Sequence, residues 1–150
     1  MRRLLVSSLL TLVLLGSAVP ALAATAVSVT IEVHSVFSDE HGTFTADNTV
    51  LCEGGTTSDV TRITGNGAVL NIKNIKTFTC SDGSGTFTLR IQAQVRPCEP
   101  TDSGTWNVAG GTGDYERLRG GGTLVGTYFP NNACDAEGID DRLTGTLVLP

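Results

Sequence analysis

Apolar and polar residues alternate along much of the chain with a period of two. Between residues 27 and 33 every second residue is Val or Ile, and the residues between them are polar. In Gly85–Val95, apolar residues alternate in the same way with Thr, Arg and Gln. Such a period places successive side chains on opposite faces and predicts half-buried strands. Further strands are predicted at 42–46, 50–52, 60–64, 67–72 (read as continuous with 72–80), 104–108, 122–129 and 142–149.

These seven to nine strands are separated by turn residues about every ten positions, which is typical of a β-sandwich or a barrel. Only the short run 114–118 has the composition of a helical turn. Glycines within predicted strands, such as Gly126 and Gly145, favour the tight bends of a closed barrel. We therefore predict a single all-β domain, an antiparallel barrel of about eight strands, with a β-sandwich as the alternative.

The first 23 residues follow a different pattern. Arg2 and Arg3 precede an apolar run over residues 4–15, and Ala21-Leu22-Ala23 supplies the small residues of a cleavage site. The apolar run is shorter than the roughly 20 residues that a membrane-spanning helix needs. We expect a cleaved signal peptide (1–23), a secreted domain (24–150) and no membrane span in the mature form.

The charge of the mature chain narrows the classes of partner. Loss of Arg2 and Arg3 leaves eight basic and fifteen acidic side chains, a net charge of −7. Such a charge disfavours nucleic acids and anionic membranes as partners. The candidate partners that remain are a small apolar ligand, another protein and further copies of the chain.

The mature chain contains four cysteines, and an even number in a small exported domain is typical of two disulfides. Of the three pairings we favour Cys52–Cys80 with Cys98–Cys134, because each pair would close one local region of a meandering sheet. The spacings include no C-x-x-C motif, and neither histidine lies at zinc-finger spacing from a cysteine. No metal or other cofactor is predicted.

One glycine-rich segment has a specific pattern, G-T-G-D-Y-E-R-L-R-G-G-G over residues 111–122. With its flanking strands (76–127) it resembles small secreted bacterial proteins of unassigned function. Its G-T-G-x-Y-x-x-L-R-G run is similar to that of the allene oxide cyclase and dirigent-like barrels. This resemblance implies an eight-stranded antiparallel barrel of the calycin or allene oxide cyclase type that associates into dimers or trimers. The catalytic and cavity residues of those families match no positions here, so their activity is not carried over.

The same segment has a structural interpretation as a turn motif. Gly111 and Gly113 allow sharp turns, Tyr115 and Leu118 are expected to fold back onto the barrel end as apolar plugs, and Gly120 leads into the next strand. The segment does not match G-x-G-x-x-G and no long helix follows it, so phosphate binding is not predicted.

Glu32 and His34 are the candidate ligand-binding residues. They project from one face of the first strand and could exchange protons with a small ligand if that face lined the interior. The alternative is that this face is solvated, because the apolar face of the strand belongs in the core. A metal site built from His34, Asp39 and His41 fits no strong motif.

No catalytic residue is predicted. The chain has no G-x-S-x-G elbow, and its fifteen acidic residues offer many carboxylate pairs among which the sequence does not choose. Asp140 and Asp141 are expected to lie in a solvated loop.

The leading functional hypothesis is a non-enzymatic binding protein for a small apolar ligand or a protein partner, because barrel mouths commonly hold ligands. The first alternative is a cyclase- or dirigent-like isomerase that acts through cavity shape. The second is a structural, self-associating envelope protein. A sizeable polar cavity containing Glu32 or His34 would favour the isomerase, and a solidly filled barrel would favour the structural role.

Overall fold

A computed structural model of the chain describes residues 25–48, 50–65 and 67–149, so the predicted signal peptide (1–23) lies outside the described residues. Within those ranges the chain forms one closed barrel in which each strand pairs antiparallel with the next and the last pairs with the first. This confirms the predicted barrel over the β-sandwich. The strands are β1 (Ala26–Val36), β2 (Gly42–Asp47), β3 (Gly54–Gly65), β4 (Leu70–Cys80), β5 (Gly85–Val95), β6 (Thr101–Gly113), β7 (Arg119–Phe129) and β8 (Gly138–Val148).

Several strand boundaries differ from the sequence-based expectation, most of all between residues 50 and 60. Residues 50–52 form a turn instead of a strand, because the side-chain oxygen of Asn48 accepts hydrogen bonds from the amides of Val50 and Leu51, each at 2.6 Å. β3 begins at Gly54, six residues before the expected start, in a polar stretch that lacks apolar alternation.

One end of the barrel is filled and closed by aromatic side chains. The rings of Phe78 and Phe87, which pair in register on β4 and β5, stack at 4.5 Å, and Phe44 meets both edge-on. Tyr115 and Leu118, from the β6–β7 connection, are buried in the same cluster. This end of the interior is therefore solid.

Hydrogen bonds and a disulfide fix the closed end. The hydroxyl oxygen of Tyr115 accepts a hydrogen bond from the amide of Cys52 (2.9 Å) and lies 3.0 Å from Oγ of Ser84. The predicted disulfide between Cys52 and Cys80 is confirmed, and both cysteines are buried. Gly113 (φ 61°) lies where β6 ends, in the left-handed region that favours glycine.

The opposite end is open. It is formed by the β1–β2, β3–β4, β5–β6 and β7–β8 connections. The second predicted disulfide, Cys98–Cys134, is also confirmed, and it joins the β5–β6 and β7–β8 connections at this end. Two disulfides are consistent with an oxidising compartment. In the described part of the chain, no helix has the length and apolarity needed to cross a membrane.

Candidate functional site

The open half of the barrel contains a cavity of about 400 Å³. Apolar and polar residues contribute to its wall in nearly equal numbers. The apolar residues include Ile91, Ala93 and Leu124, which are buried, and Ile63, which is 58% exposed at the mouth. Polar and charged side chains from several strands also line the cavity. Some of them, such as Lys76 and Asp141, are more deeply buried than the apolar side chain of Ile63 at the mouth. The polar members of the lining are Ser35, Asp39, Glu40, Asp59, Thr61, Asn74, Lys76, Asp102, Tyr128 and Asp141.

Lys76 is the most deeply buried charged side chain of the cavity, with 1% of its surface exposed. Its ammonium lies 2.9 Å from Oδ2 of Asp59 and 3.6 Å from Oδ2 of Asp141. Asp59 pairs in register with Lys76 on the neighbouring strand, and its second oxygen accepts a hydrogen bond from the Asn74 amide at 2.8 Å. One buried cation is thus shared between carboxylates from β3 and β8.

Asp102 forms a second polar group on the β6–β7 side of the cavity. Its Oδ2 accepts a hydrogen bond from the Tyr128 hydroxyl (3.0 Å), and its Oδ1 accepts one from the backbone amide of Gly126 (3.1 Å). A Cβ on Gly126 would overlap Oδ1 of Asp102 and would lie only 2.9 Å from Oδ1 of Asp141. Because Gly126 has no side chain, the carboxylates of Asp102 and Asp141 can both occupy the space beside it.

Burial makes ionisation of these carboxyl groups more costly. Burial raises the pKa of Asp141 to about 6; the Lys76 ammonium opposes this rise, and the charges of Asp102 and Asp59 add to it. Burial also raises the pKa of Asp102, against the hydrogen bonds from Tyr128 and Gly126. The pKa of the Tyr128 phenol is raised by burial and by the adjacent Asp102 carboxylate.

Several polar atoms of the same region have no hydrogen-bond partner among the described residues. Oγ of Ser35 and Oγ1 of Thr57 are two of them, and these residues are 8% and 1% exposed. The two hydroxyls flank Gly42, each 2.7 Å from the position that a Cβ on Gly42 would take. Oδ1 of Asn74 is a third. Ser35 and Asn74 are among the residues that line the cavity.

The structure places Glu32 and His34 on the outer face of the barrel. They pair across β1 and β8 with Arg142 (2.8 Å) and Asp140 (2.7 Å), and the His34 ring also stacks on Phe129 at 5.0 Å. Neither side chain lines the interior cavity. This is the solvated arrangement that the apolar face of β1 favours.

Asp141 corrects the expectation of a solvated loop. It lies within β8, faces the interior and is 7% exposed, because it shares the inward register of Leu143 and Leu147. A signal for this placement was present in the sequence, since residues 141, 143 and 147 fall on one face of a strand. Asn74 and Lys76 likewise continue the inward register of Phe78.

The carboxylates of the cavity do not form a compact metal centre. Among the described residues, the only three His, Cys, Asp or Glu side chains with ligand atoms within 4.8 Å of one another are Cys52, Cys80 and Asp82. Two of these are joined in a disulfide, which removes the thiolates that would bind a metal. The cavity instead suits an organic molecule that makes apolar contacts and hydrogen bonds.

Comparisons with protein-family models, curated proteins and solved structures returned no match for this chain. What the protein binds is therefore inferred from the geometry and chemistry of the cavity alone.

Proposed function

We propose that this chain is a secreted, non-enzymatic binding protein that holds a small molecule with an apolar body in the open half of its barrel. The cavity of about 400 Å³ is the observation that carries the proposal. Its volume falls within the range of roughly 300–1,000 Å³ that is usual for small-molecule sites. An apolar wall with a few convergent polar groups is the usual composition of such a site.

The division of the barrel into a filled and an open half supports this proposal. Phe44, Phe78 and Phe87 supply the core that stabilises the fold, so the open half does not need to be packed with side chains. The Cys98–Cys134 disulfide holds two connections of the mouth together. An unfilled cavity also favours ligand binding over a purely structural role.

Export is proposed from two independent features. Residues 1–23 have the charge, apolar run and small residues of a cleaved signal peptide. Both disulfides suit an oxidising compartment. Together these features favour a protein that meets its ligand outside the cytoplasm.

A fluorescence titration with N-phenyl-1-naphthylamine, a neutral apolar probe, tests whether the cavity binds ligands. The Ala93→Trp variant places a large side chain in the cavity wall, whereas Gln92→Trp places the same side chain on the outer face of the same strand. We expect saturable binding by the wild type and by Gln92→Trp, and at least tenfold weaker binding by Ala93→Trp. Equal binding by all three proteins, or none by the wild type, would refute the proposal.

A second candidate is an isomerase of the kind that the allene oxide cyclase and dirigent-like resemblance implies. It is favoured by Asp141, a cavity carboxyl group whose pKa of about 6 suits proton transfer near neutral pH. If it is correct, Asp141→Asn abolishes turnover of a bound substrate but leaves probe binding intact. If turnover survives in that variant, proton transfer by Asp141 plays no part.

A further inference from the structure

From the arrangement of charged groups around the cavity we infer that the ligand is a cation, an apolar molecule with a protonated amine that enters ammonium-first and is held by Asp141 and Asp102. This inference rests on the proposed binding function and specifies the chemical class of the ligand.

The charges that line the cavity are strongly unequal. Among the described residues of the lining, one side chain is basic and five are acidic. Lys76 is already paired with Asp59 and Asp141, so it offers little attraction to an anionic ligand. A bound ammonium would offset the negative charge of Asp102 and Asp141, which are buried and therefore poorly screened by water. The acidic members are Asp39, Glu40, Asp59, Asp102 and Asp141.

The hydrogen-bonding groups of the cavity show the same imbalance. The Tyr128 hydroxyl and the Asn74 amide nitrogen, which are donors, already point at the carboxylates of Asp102 and Asp59. Ionised carboxylates only accept hydrogen bonds, and each has capacity for several. A ligand that donates, as an ammonium does with three hydrogens, therefore complements this cavity better than a ligand that accepts.

Two polar atoms of the lining residues have no hydrogen-bond partner among the described residues. Oγ of Ser35, in a residue that is more than nine-tenths buried, and Oδ1 of Asn74 both belong to the cavity lining and can each accept a hydrogen bond. Leaving such atoms without a partner costs free energy. A ligand that donates a hydrogen bond to either atom would therefore gain affinity and specificity.

The spacing of the carboxylates favours an organic cation over a metal ion. Divalent ions need several oxygen ligands at about 2.0–2.6 Å, which brings those oxygens close to one another. The cavity carboxylates do not form such a group within the described residues. An ammonium with an apolar body makes fewer and longer contacts and also uses the apolar wall.

Cation binding by this site should depend on pH, because Asp141 is neutral in acid. Burial raises the pKa of Asp141 to about 6, so acidification through pH 6 removes one of the charges that attract the ligand. The side chains that β1, β2 and β5 contribute to the cavity wall carry no titratable group. The titratable and charged groups that line the cavity with Asp141 are Asp39 and Glu40 of the β1–β2 connection, Asp59 of β3, Lys76 of β4, Asp102 of β6 and Tyr128 of β7.

Isothermal titration calorimetry with three eight-carbon compounds tests the inference. Octylamine, 1-octanol and octanoate share an apolar body and differ in head-group charge. At pH 7.5 we expect the wild type to bind octylamine at least tenfold more tightly than octanol, and octanoate most weakly. Octylamine affinity should fall at least threefold at pH 5.

Two neighbouring aspartates of β8 provide a matched pair of variants. Asp141→Asn removes a carboxylate inside the cavity, and Asp140→Asn makes the same change on the outer face, where 58% of the side chain is exposed. We expect the first change to weaken octylamine binding about tenfold and to leave octanol binding unchanged, and the second to alter neither. If Asp141→Asn fails to fold, as judged by circular dichroism, Asp102→Asn replaces it with the same expectation.

The outcomes separate the ligand class from the binding function. Equal wild-type affinities for octylamine and octanol would overturn the cation inference and leave the proposed binding function standing. Equal weakening by the two β8 variants would also overturn it, because the effect would then be one of overall charge. Failure of the wild type to bind any of the three compounds or the neutral fluorescent probe would overturn the binding function itself.

Discussion

The ammonium of Lys76 and the carboxylate of Asp59 lie 2.9 Å apart inside the barrel, on neighbouring strands that pair in register at these two residues. Next to them on the outer surface, Val60 and Ile75 form the adjoining register pair and are 74% and 37% exposed. The usual arrangement of apolar residues inside and charged residues outside is thus inverted at this point. Such an inversion costs stability, because buried ions lose hydration, and it indicates a functional role for the inward pair.

Removal of the cavity cation should destabilise the protein. Lys76→Met leaves the buried carboxylate of Asp141 and the partly exposed carboxylate of Asp59 without their ion-pair partner. We expect the free energy of unfolding at pH 7.5 to fall by about 3 kcal/mol. The loss should be smaller at pH 4.5, where carboxyl groups can be protonated. Urea unfolding with the disulfides intact measures both values. Lys73→Met, a change at an exposed position on the same strand, should cost less than about 0.5 kcal/mol; similar losses for both variants would contradict this role of Lys76.

Asp141 should make the protein less stable as the pH rises. Its pKa is about 6 in the folded protein and about 3.9 in an unfolded chain, so between these values the folded state retains a proton that the unfolded state has lost. The free energy of unfolding should therefore fall by about 2–3 kcal/mol between pH 4 and pH 7 from this group alone. Asp141→Asn lacks this titration, so between pH 4 and pH 7 its free energy of unfolding should rise by that amount relative to the wild type. Asp140→Asn should retain the wild-type pH dependence. If the stability difference between Asp141→Asn and the wild type does not change with pH, the pKa of Asp141 is not raised.

Gly126 should tolerate no side chain. In Gly126→Ala the new Cβ meets the carboxylates of Asp102 and Asp141, and we expect a loss of about 2 kcal/mol in the free energy of unfolding, together with weaker ligand binding. Gly110→Ala is the control, because nothing lies within 4 Å of a Cβ at that position. Thermal and urea unfolding compare the two variants. Equal stability of the two would mean that the shared space at Gly126 is not tightly occupied.

Tyr115 should matter for stability and not for ligand binding. Tyr115→Phe leaves the buried amide of Cys52 without its acceptor, which should cost about 1–3 kcal/mol. Ser84→Ala removes only the weaker, partly exposed partner of the same hydroxyl and should cost less. Both variants should bind the neutral fluorescent probe as the wild type does, because Tyr115 lies at the closed end. Loss of probe binding in Tyr115→Phe would show that the two ends are not independent.

The barrel and its disulfides were predictable because their signals are local. Strict alternation in Gly85–Val95 identifies β5 to the residue. The even number of cysteines predicts two disulfides, and the preference for pairs that each close one local region identifies Cys52–Cys80 and Cys98–Cys134. The turn at residues 50–52 was missed, because hydrogen bonds from the amides of Val50 and Leu51 to the side-chain oxygen of Asn48 outweigh the strand tendency of a short apolar run.

The cavity was not predictable from the same patterns. Alternation assigns apolar residues to the interior, but around Asp59 and Lys76 the polar residues face inward and Val60 and Ile75 face solvent. The grouping of Asp102 with Asp141 further depends on strand register, because β6 and β8 each pair with β7 so that both residues lie opposite Gly126. Glu32 and His34 were prominent in the sequence because of their residue types, yet their register on β1 directs them outward.

Native mass spectrometry of the protein isolated from its natural source, compared with the same sample after denaturation, tests the binding function most directly. We predict an additional mass of a few hundred daltons on the native wild-type protein, lost on denaturation and absent from Ala93→Trp produced in the same host. A fragment spectrum that contains an amine would also support the cationic ligand. A bare chain in the native spectrum, or an equal adduct on Ala93→Trp, would contradict ligand binding in the barrel cavity.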